Sequence, residues 1–414
     1  MEEAYITLPK GYKANGVSAG MKCSDPANIN KDDPRSSFLD VALITSDSPA
    51  DVAGVYTSNL VKGHSLTRSI KIINSGSKVR GMIINSKVAN ACVGSIGEDD
   101  AGQIASSVAD KIGCSGSEIL TASTGVIGTR LPVDKIISVI PELTEGLSSD
   151  EASAHDSEYA MMTTDTVPKE VAATITLGDG NEVTIAGQAK GSGMIHPNLA
   201  TMICLFTTDA AIDSKTLDKA LRSAVKHTFN RVSVDGDTSV CDSVIIMANG
   251  ESGATKIEDG SEDYEIFEEA LTSLSEDLAR MIASDGEGAT KFVEITVSGA
   301  ATEDDAKLVV TSVARSPLVK TMIFGEDANC GRVITAAGYS GAKFDPDRID
   351  IRLNGLKTYE NGIALDFDEE LAKELLSQHD IKIDIILHEG EFSDRMYTCD
   401  FSYDYVKING SYRS

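Results

Sequence analysis

Thr201 stands where a glycine-bearing loop runs into an apolar segment, within Lys190–Ala210 reading K-G-S-G-M-I-H-P-N-L-A-T-M-I-C-L-F-T-T-D-A. Gly191, Ser192 and Gly193 permit a tight, closely approached backbone, and Pro197 stops regular structure before the apolar run Met202–Phe206. A loop gives access and a strand gives rigidity, so a hydroxyl at their junction is well placed to act as a nucleophile. The competing reading is a threonine that opens a buried strand through its β propensity. A phosphate loop is excluded: the spacing G-x-x-x-x-G-K-[ST] is absent, and Lys190 precedes the glycines. Asp235 and Asp237 in V-D-G-D-T-S resemble a calcium loop only faintly, because the EF-hand spacing fails, so a turn is expected there.

The elements that must position this junction interleave along the chain. Strands are expected at Asp40–Ile44, Gly81–Asn85, Ala172–Leu177, Glu182–Ala186, Phe292–Val297 and Leu308–Val313. Alternation is clearest at Ile349, Ile351 and Leu353, and again at Ile381, Ile383 and Ile385. Helices are expected at Asp213–His227, where Leu217, Leu221 and Ala224 share a face, and at about Asp368–Gln378. A longer one covers Asp263–Ser284, with Phe267, Leu271, Leu274, Leu278 and Met281 stepping by three and four. Asp179-Gly180-Asn181 reads as a hairpin turn. The mixture implies an α/β fold, sheets covered by helices, with no low-complexity linker between independent halves.

Composition narrows the partners. A chain of 414 residues with 41% apolar and 24% charged side chains has an ordinary soluble composition and length for a large core. Its net charge of −27 argues against nucleic acid and anionic membranes as partners. Seven scattered cysteines, without a CxxC pair or zinc spacing, argue against a disulfide framework or a structural metal. Met1-Glu2-Glu3-Ala4-Tyr5 has none of the features of a signal or transit peptide, and no apolar run reaches membrane-spanning length. A cytoplasmic protein is expected.

The segment K-G-S-G-M-I-H-P-N-L-A-T-M resembles the signature of the ornithine acetyltransferase (glutamate N-acetyltransferase) family, whose precursors cut themselves at the Ala–Thr bond of this motif. Further matching blocks follow in the family's order along nearly the whole chain. They are GVSAGMK (Gly16–Lys22), NSKVANAC (Asn85–Cys92), STGVIG (Ser123–Gly128), MTTDT (Met162–Thr166), NRVSVDGDTS (Asn230–Ser239), DGEGATK (Asp285–Lys291), FGEDANCGR (Phe324–Arg332) and TCDFSYDYVKINGSYRS (Thr398–Ser414). Two positions depart from the pattern: Cys241 and Cys330 stand where many relatives have an asparagine and a tryptophan. The second predicts looser packing behind one strand layer.

The resemblance implies a layered αββα sandwich of two interleaved chains, residues 1–200 and 201–414, paired further into an α2β2 heterotetramer. It implies cleavage between Ala200 and Thr201, with Thr201 as nucleophile and Thr124 and Gly125 as oxyanion donors. Substrate contacts are implied at Thr163, Thr164, Lys190, Thr201, Glu287, Asn409 and Ser414. Lys190 is expected to pair with the α-carboxylate of the substrate, and Glu287 with the ammonium of ornithine. The chemistry is coherent. Cleavage leaves Thr201 with a free α-amine of pKa about 7.7–8.0, near working pH, which can serve as base for its own hydroxyl. His196, a tempting base, becomes unnecessary. The implied reaction is ping-pong transfer of acetyl from N2-acetylornithine to glutamate, in arginine biosynthesis, without metal or cofactor. A bifunctional enzyme that also takes acetyl-CoA uses the same nucleophile, and so does an N-terminal-nucleophile amidase or aminopeptidase. A non-catalytic acidic binding protein on the same scaffold is the remaining reading.

Overall fold

Strand alternation and glycine-punctuated turns build two sheets in the computed structural model, which describes residues 4–22, 38–196 and 202–411. The chain divides into two units: Met1–Ser192 with Asn198–Asn230 and Asp237–Leu278, and Gly193–Pro197 with Arg231–Gly236 and Ala279–Ser414.

The first unit holds β1 (Tyr12–Val17), β2 (Val41–Tyr56), α1 (His64–Asn74), β3 (Val79–Asn85), α2 (Ile96–Ile112), β4 (Ile119–Ser123), α3 (Val133–Glu145), α4 (Glu151–Met161), β5 (Glu170–Thr176), β6 (Glu182–Lys190), β7 (Ile203–Thr208), α5 (Ser214–His227) and β8 (Ser243–Ala248). The sheet order is β4-β3-β2-β8-β7-β6-β5, with β1 also on β2. The long β2, 16 residues, pairs with β1 and β3 through its first half and with β8 through its second. Its alternation sends Ala42 and Ile44 into one apolar cluster, with Ala154, Ala160 and Met161 of α4. Val41 and Leu43 enter another on the opposite face, with Ile104 and Val108 of α2 and Ile136 and Ile140 of α3. Helices therefore cover both faces here.

Local signals held where the sequence marked them. Asp213 caps α5, accepting hydrogen bonds from Lys215 N (3.1 Å) and Thr216 N (3.0 Å). The hairpin joining β5 to β6 turns at Gly180, φ +83°, and Asp179 accepts Asn181 N–H at 2.8 Å. Leu217, Leu221 and Ala224 are all buried, each leucine contributing about 1.5–3 kcal/mol. Cys241 fills a small apolar cluster with Ala89, Ala91 and Val240. A further helix, α6 (Glu262–Ser284), begins in the first unit and ends in the second.

The second unit holds β9 (Phe292–Ala300), α7 (Glu303–Ala314), α8 (Pro317–Phe324), α9 (Cys330–Gly338), β10 (Asp350–Leu353), β11 (Leu356–Glu360), β12 (Ile363–Ala364), α10 (Glu369–Leu376), β13 (Asp380–Ile386), β14 (Phe392–Cys399) and α11 (Tyr403–Gly410). Its sheet order is β12-β11-β10-β13-β9-β14, with β13 parallel to β9. Ile295 and Val297 of β9, Ile351 of β10 and Ile383 and Ile385 of β13 share a core with Val309, Val310 and Val313 of α7. Cys330 is buried at the start of α9.

The strand expected at Leu308–Val313 is instead part of α7, a correction with a clear cause. Thr302 caps the helix by accepting Asp305 N–H at 3.1 Å, and acidic residues fill its first turn. Ala306, Val309, Val310 and Val313 then fall on one buried face at helical spacing. Burial of that stripe outweighs the strand preference of three valines. Mixed sheets packed with helices put each unit in the α/β class, as expected. Among the described residues, no helix is long and apolar enough to cross a membrane.

Candidate functional site

Ala200, Thr201 and Ser414 lie outside the described residues. The other expected site residues fall into a group in each unit. In the first, Lys190 ends β6 and is almost wholly buried, at 2% exposure. Its Nζ donates to Thr163 Oγ1 at 2.7 Å and lies 3.8 Å from Asp165 Oδ2. Asp165, also buried, accepts from Thr163 N (2.9 Å), Gly191 N (2.6 Å) and Lys169 Nζ (2.9 Å). One carboxylate thus ties the threonine pair to the loop that leads toward Thr201. Burial alone would raise the Asp165 carboxyl, but the Lys169 and Lys190 ammoniums outweigh it and hold it well below the usual carboxylate range. Thr164 is half-buried, and its hydroxyl has no hydrogen-bond partner among the described residues.

Behind this group stand Lys22 and Glu158. Lys22 Nζ donates to the carbonyls of Tyr159 (2.9 Å) and Ala160 (3.4 Å) near the C-terminal end of α4, where cations are favoured. Burial brings its ammonium down to about 8, against the opposing pull of Asp40 and Asp165. Burial, helped by the charge of Glu170, pushes the Glu158 carboxyl up, and its Oε2 has no partner among the described residues.

Thr124 and Gly125 follow β4 on a strained turn. Thr124 N–H is committed to the Asn85 carbonyl and Val126 N–H to that of Lys87, both at 2.9 Å. Gly125 N–H and the Thr124 hydroxyl have no partner among the described residues, leaving two adjacent donors. The turn demands glycine: φ is +127°, and a Cβ at Gly125 would sit 2.2 Å from the Lys87 carbonyl carbon. Polar side chains brace it from below. Ser123 Oγ donates to Asn85 Oδ1 (2.6 Å) and shares a hydrogen bond with Ser65 Oγ (2.7 Å), which accepts from Asn90 Nδ2 (2.9 Å).

In the second unit, buried Glu287 accepts a hydrogen bond from Asn409 Nδ2 at 2.8 Å. Gly193 lies against this carboxylate so closely that a Cβ there would be 2.3 Å from its carboxyl carbon. Asp235 accepts from Met194 N (2.6 Å) and Ile195 N (3.0 Å), which fixes the same loop. The chain bends at Gly236, φ +85°, within V-D-G-D. His196 Nδ1 lies 3.0 Å from Ser233 Oγ. Asn409 sits on α11.

The pairs Thr163–Lys190 and Glu287–Asn409 are therefore brought together. Asp165, Lys169, Lys22 and the clamp role of Asp235 were missed. No local signal marks Asp165: residues 162–169 form no helix, so its contact with Lys169 four positions on is set by folding.

A model of the ArgJ family matches residues 24–414. The arginine biosynthesis bifunctional protein of Caldanaerobacter subterraneus subsp. tengcongensis is 44% identical over 413 residues, covering 99% of this chain and 98% of that protein. The protein of the same name from Geobacter sulfurreducens is 44% identical over 406 residues, covering 98% and 99%. A crystal structure of such a protein from Bacillus halodurans, 43% identical, covers 49% of this chain and 96% of that chain with a TM-score of 0.48. By its sequence from end to end, this chain belongs to the ArgJ family.

Proposed function

We propose that this chain is an acetyltransferase that moves the acetyl group of N2-acetylornithine to glutamate through an ester on Thr201. Its similarity to arginine biosynthesis proteins over nearly its full length supports that choice of substrates. The observation that carries the chemistry is the pair of unpartnered donors, Gly125 N–H and the Thr124 hydroxyl, on a turn held rigid from below. An acyl transferase needs such donors in advance of the charge they meet.

In this reading Thr201 Oγ1 first attacks the Ala200 carbonyl carbon. The acyl group passes from nitrogen to oxygen, and water then hydrolyses the ester to an Ala200 carboxylate and a free Thr201 amine. The first unit's sheet draws strands from both sides of that bond, with β7 between β6 and β8, so the pieces stay joined after cleavage. In transfer, the amine takes the hydroxyl proton while Oγ1 attacks the acetyl carbonyl, whose oxyanion meets Thr124 and Gly125. The C–N bond breaks and the proton passes to the departing ornithine nitrogen; the glutamate amine then attacks the resulting ester, the C–Oγ1 bond breaks, and the proton lost by the glutamate nitrogen returns through the Thr201 amine to Oγ1. Lys190 takes the substrate α-carboxylate, Glu287 with Asn409 the ornithine ammonium, and Thr164 a remaining polar contact.

The relatives' shared description as bifunctional favours a second reading, in which acetyl-CoA also acylates Thr201. Purified protein should run as two fragments, the C-terminal one beginning Thr-Met-Ile-Cys, and should acquire one acetyl group there from acetylornithine alone. Thr201→Ala should stay uncut and inactive. An active chain that remains in one piece, or acetyl found on a cysteine, would sink this reading. Assay with acetyl-CoA and glutamate alone separates the two activities.

A further inference from the structure

Glu287 stands at the second position of a four-residue turn, Gly286–Ala289, closed by Ala289 N–H donating to the Gly286 carbonyl at 2.8 Å. Gly288 follows it with φ +68°, a backbone that glycine adopts without strain. The turn lies close against the end of β14 and the start of α11. A Cβ at Gly286 would be 2.7 Å from Cys399 Sγ, and one at Gly288 would be 2.5 Å from Tyr405 N. Ser402, which caps α11, donates its hydroxyl to the Gly288 carbonyl at 2.5 Å.

Asp400 fastens the far end of this loop. It follows Cys399, whose register partner on β9 is Phe292, so it stands beside the residues that enter β9. Its Oδ1 accepts Thr290 N–H at 2.8 Å and Lys291 N–H at 3.0 Å, and its Oδ2 accepts the Thr290 hydroxyl at 2.6 Å. Asp400 is only 1% exposed, so these three donors take the place of water. They join segments 110 positions apart in the chain. Glu287, just upstream, has one anchored oxygen. Its Oε2 accepts Asn409 Nδ2 at 2.8 Å, and its Oε1 accepts no hydrogen bond among the described residues. A carboxylate held at one oxygen and open at the other suits a cationic partner.

We propose that Asp400 is a positioning residue for substrate choice: by fixing Thr290 and Lys291, it holds the Glu287 carboxylate where it selects a side chain that ends in an ammonium. This role rests on the proposed pairing of Glu287 with the ornithine ammonium. Asp400 acts through the loop and not by contact with substrate. Its loss frees the turn to move, and the ammonium of acetylornithine then loses a charge-assisted partner held in place. Glutamate responds differently. Its side chain ends in a carboxylate, so relaxation of Glu287 removes no attraction and weakens a like-charge repulsion. One substitution should therefore act unequally on the two half-reactions.

In a ping-pong reaction kcat/KM for each substrate reports its own half-reaction, and the ratio of acetylornithine to glutamate cancels any loss of active protein. Asp400→Ala should lower kcat/KM for acetylornithine about tenfold and leave that for glutamate unchanged or higher, so the ratio falls about tenfold or more. Asp400→Asn keeps an acceptor for the two backbone N–H groups and should restore most of the ratio. Thr290→Val removes only the hydroxyl bond and should lower the ratio a few-fold, which reads the role even where Asp400→Ala folds poorly. Glu287→Gln is measured alongside them. A ratio that falls in Glu287→Gln but keeps its wild-type value in the Asp400 and Thr290 variants overturns the positioning role alone, and equal losses in both constants do the same. A ratio unchanged in Glu287→Gln overturns the ammonium pairing and this role together.

Discussion

Replacing Gly125 with alanine probes the two unpartnered donors directly. The new Cβ would lie 2.2 Å from the carbonyl carbon of Lys87, more than 1 Å inside ordinary contact. Lys87 has little room to retreat. Its own φ is +74°, and its carbonyl accepts Val126 N–H at 2.9 Å. The turn must therefore shift, and the Gly125 N–H shifts with it. Losing one oxyanion donor costs about 100- to 1,000-fold in kcat, or roughly 3–4 kcal/mol. Backbone strain adds about 1–3 kcal/mol of lost stability. Gly128→Ala is the matched control: φ is +83°, but a Cβ there meets nothing within 4 Å. That variant should lose stability by about 1 kcal/mol and keep kcat within a few-fold. Steady-state transfer from acetylornithine to glutamate, on fully cleaved protein with a melting curve for each variant, reads both quantities. Equal kcat in the two variants, or a change confined to KM in Gly125→Ala, would refute the donor role.

The threonine pair should divide by role. Thr164→Val should raise KM for acetylornithine about tenfold, whereas Thr163→Val removes a hydrogen bond to a buried charge and should lower stability by about 1.5–3 kcal/mol; the reverse pattern in kinetics and melting exchanges their roles. Gly193→Ala should displace the Glu287 carboxylate and raise KM for acetylornithine at least tenfold, and unchanged kinetics would remove Glu287 from ammonium binding. Glu158 makes a pH test. Its raised carboxyl means that stability is complete below the unfolded value of about 4.3 and declines as pH rises toward the folded one. Glu158→Gln avoids that decline, so it should melt a few degrees higher than wild type at neutral pH and match it near about pH 4. A variant less stable at neutral pH would show that the charge is compensated.

Much of this protein was legible in its residues because the signals were local. Ile349–Leu353 and Ile381–Ile385 alternate as their strands require, and Asp213 and Asp368 stand where they cap α5 and α10. The motif blocks named Lys190, Thr163, Gly125, Glu287 and Asn409 because each sits in a short, distinctive string. Other features depended on residues far apart in the chain. Leu308–Val313 has strand-like composition, and only its packing against β9, β10 and β13 makes the helical stripe decisive. Asp165 is unremarkable in M-T-T-D-T until folding places Gly191 N–H, 26 positions later, on the same carboxylate oxygen that takes Lys169. Glu158 reads as one more acid in a chain of net charge −27. Tertiary structure alone decided which of those acids lost water, because desolvation is set by what packs around a side chain and not by its neighbours in sequence.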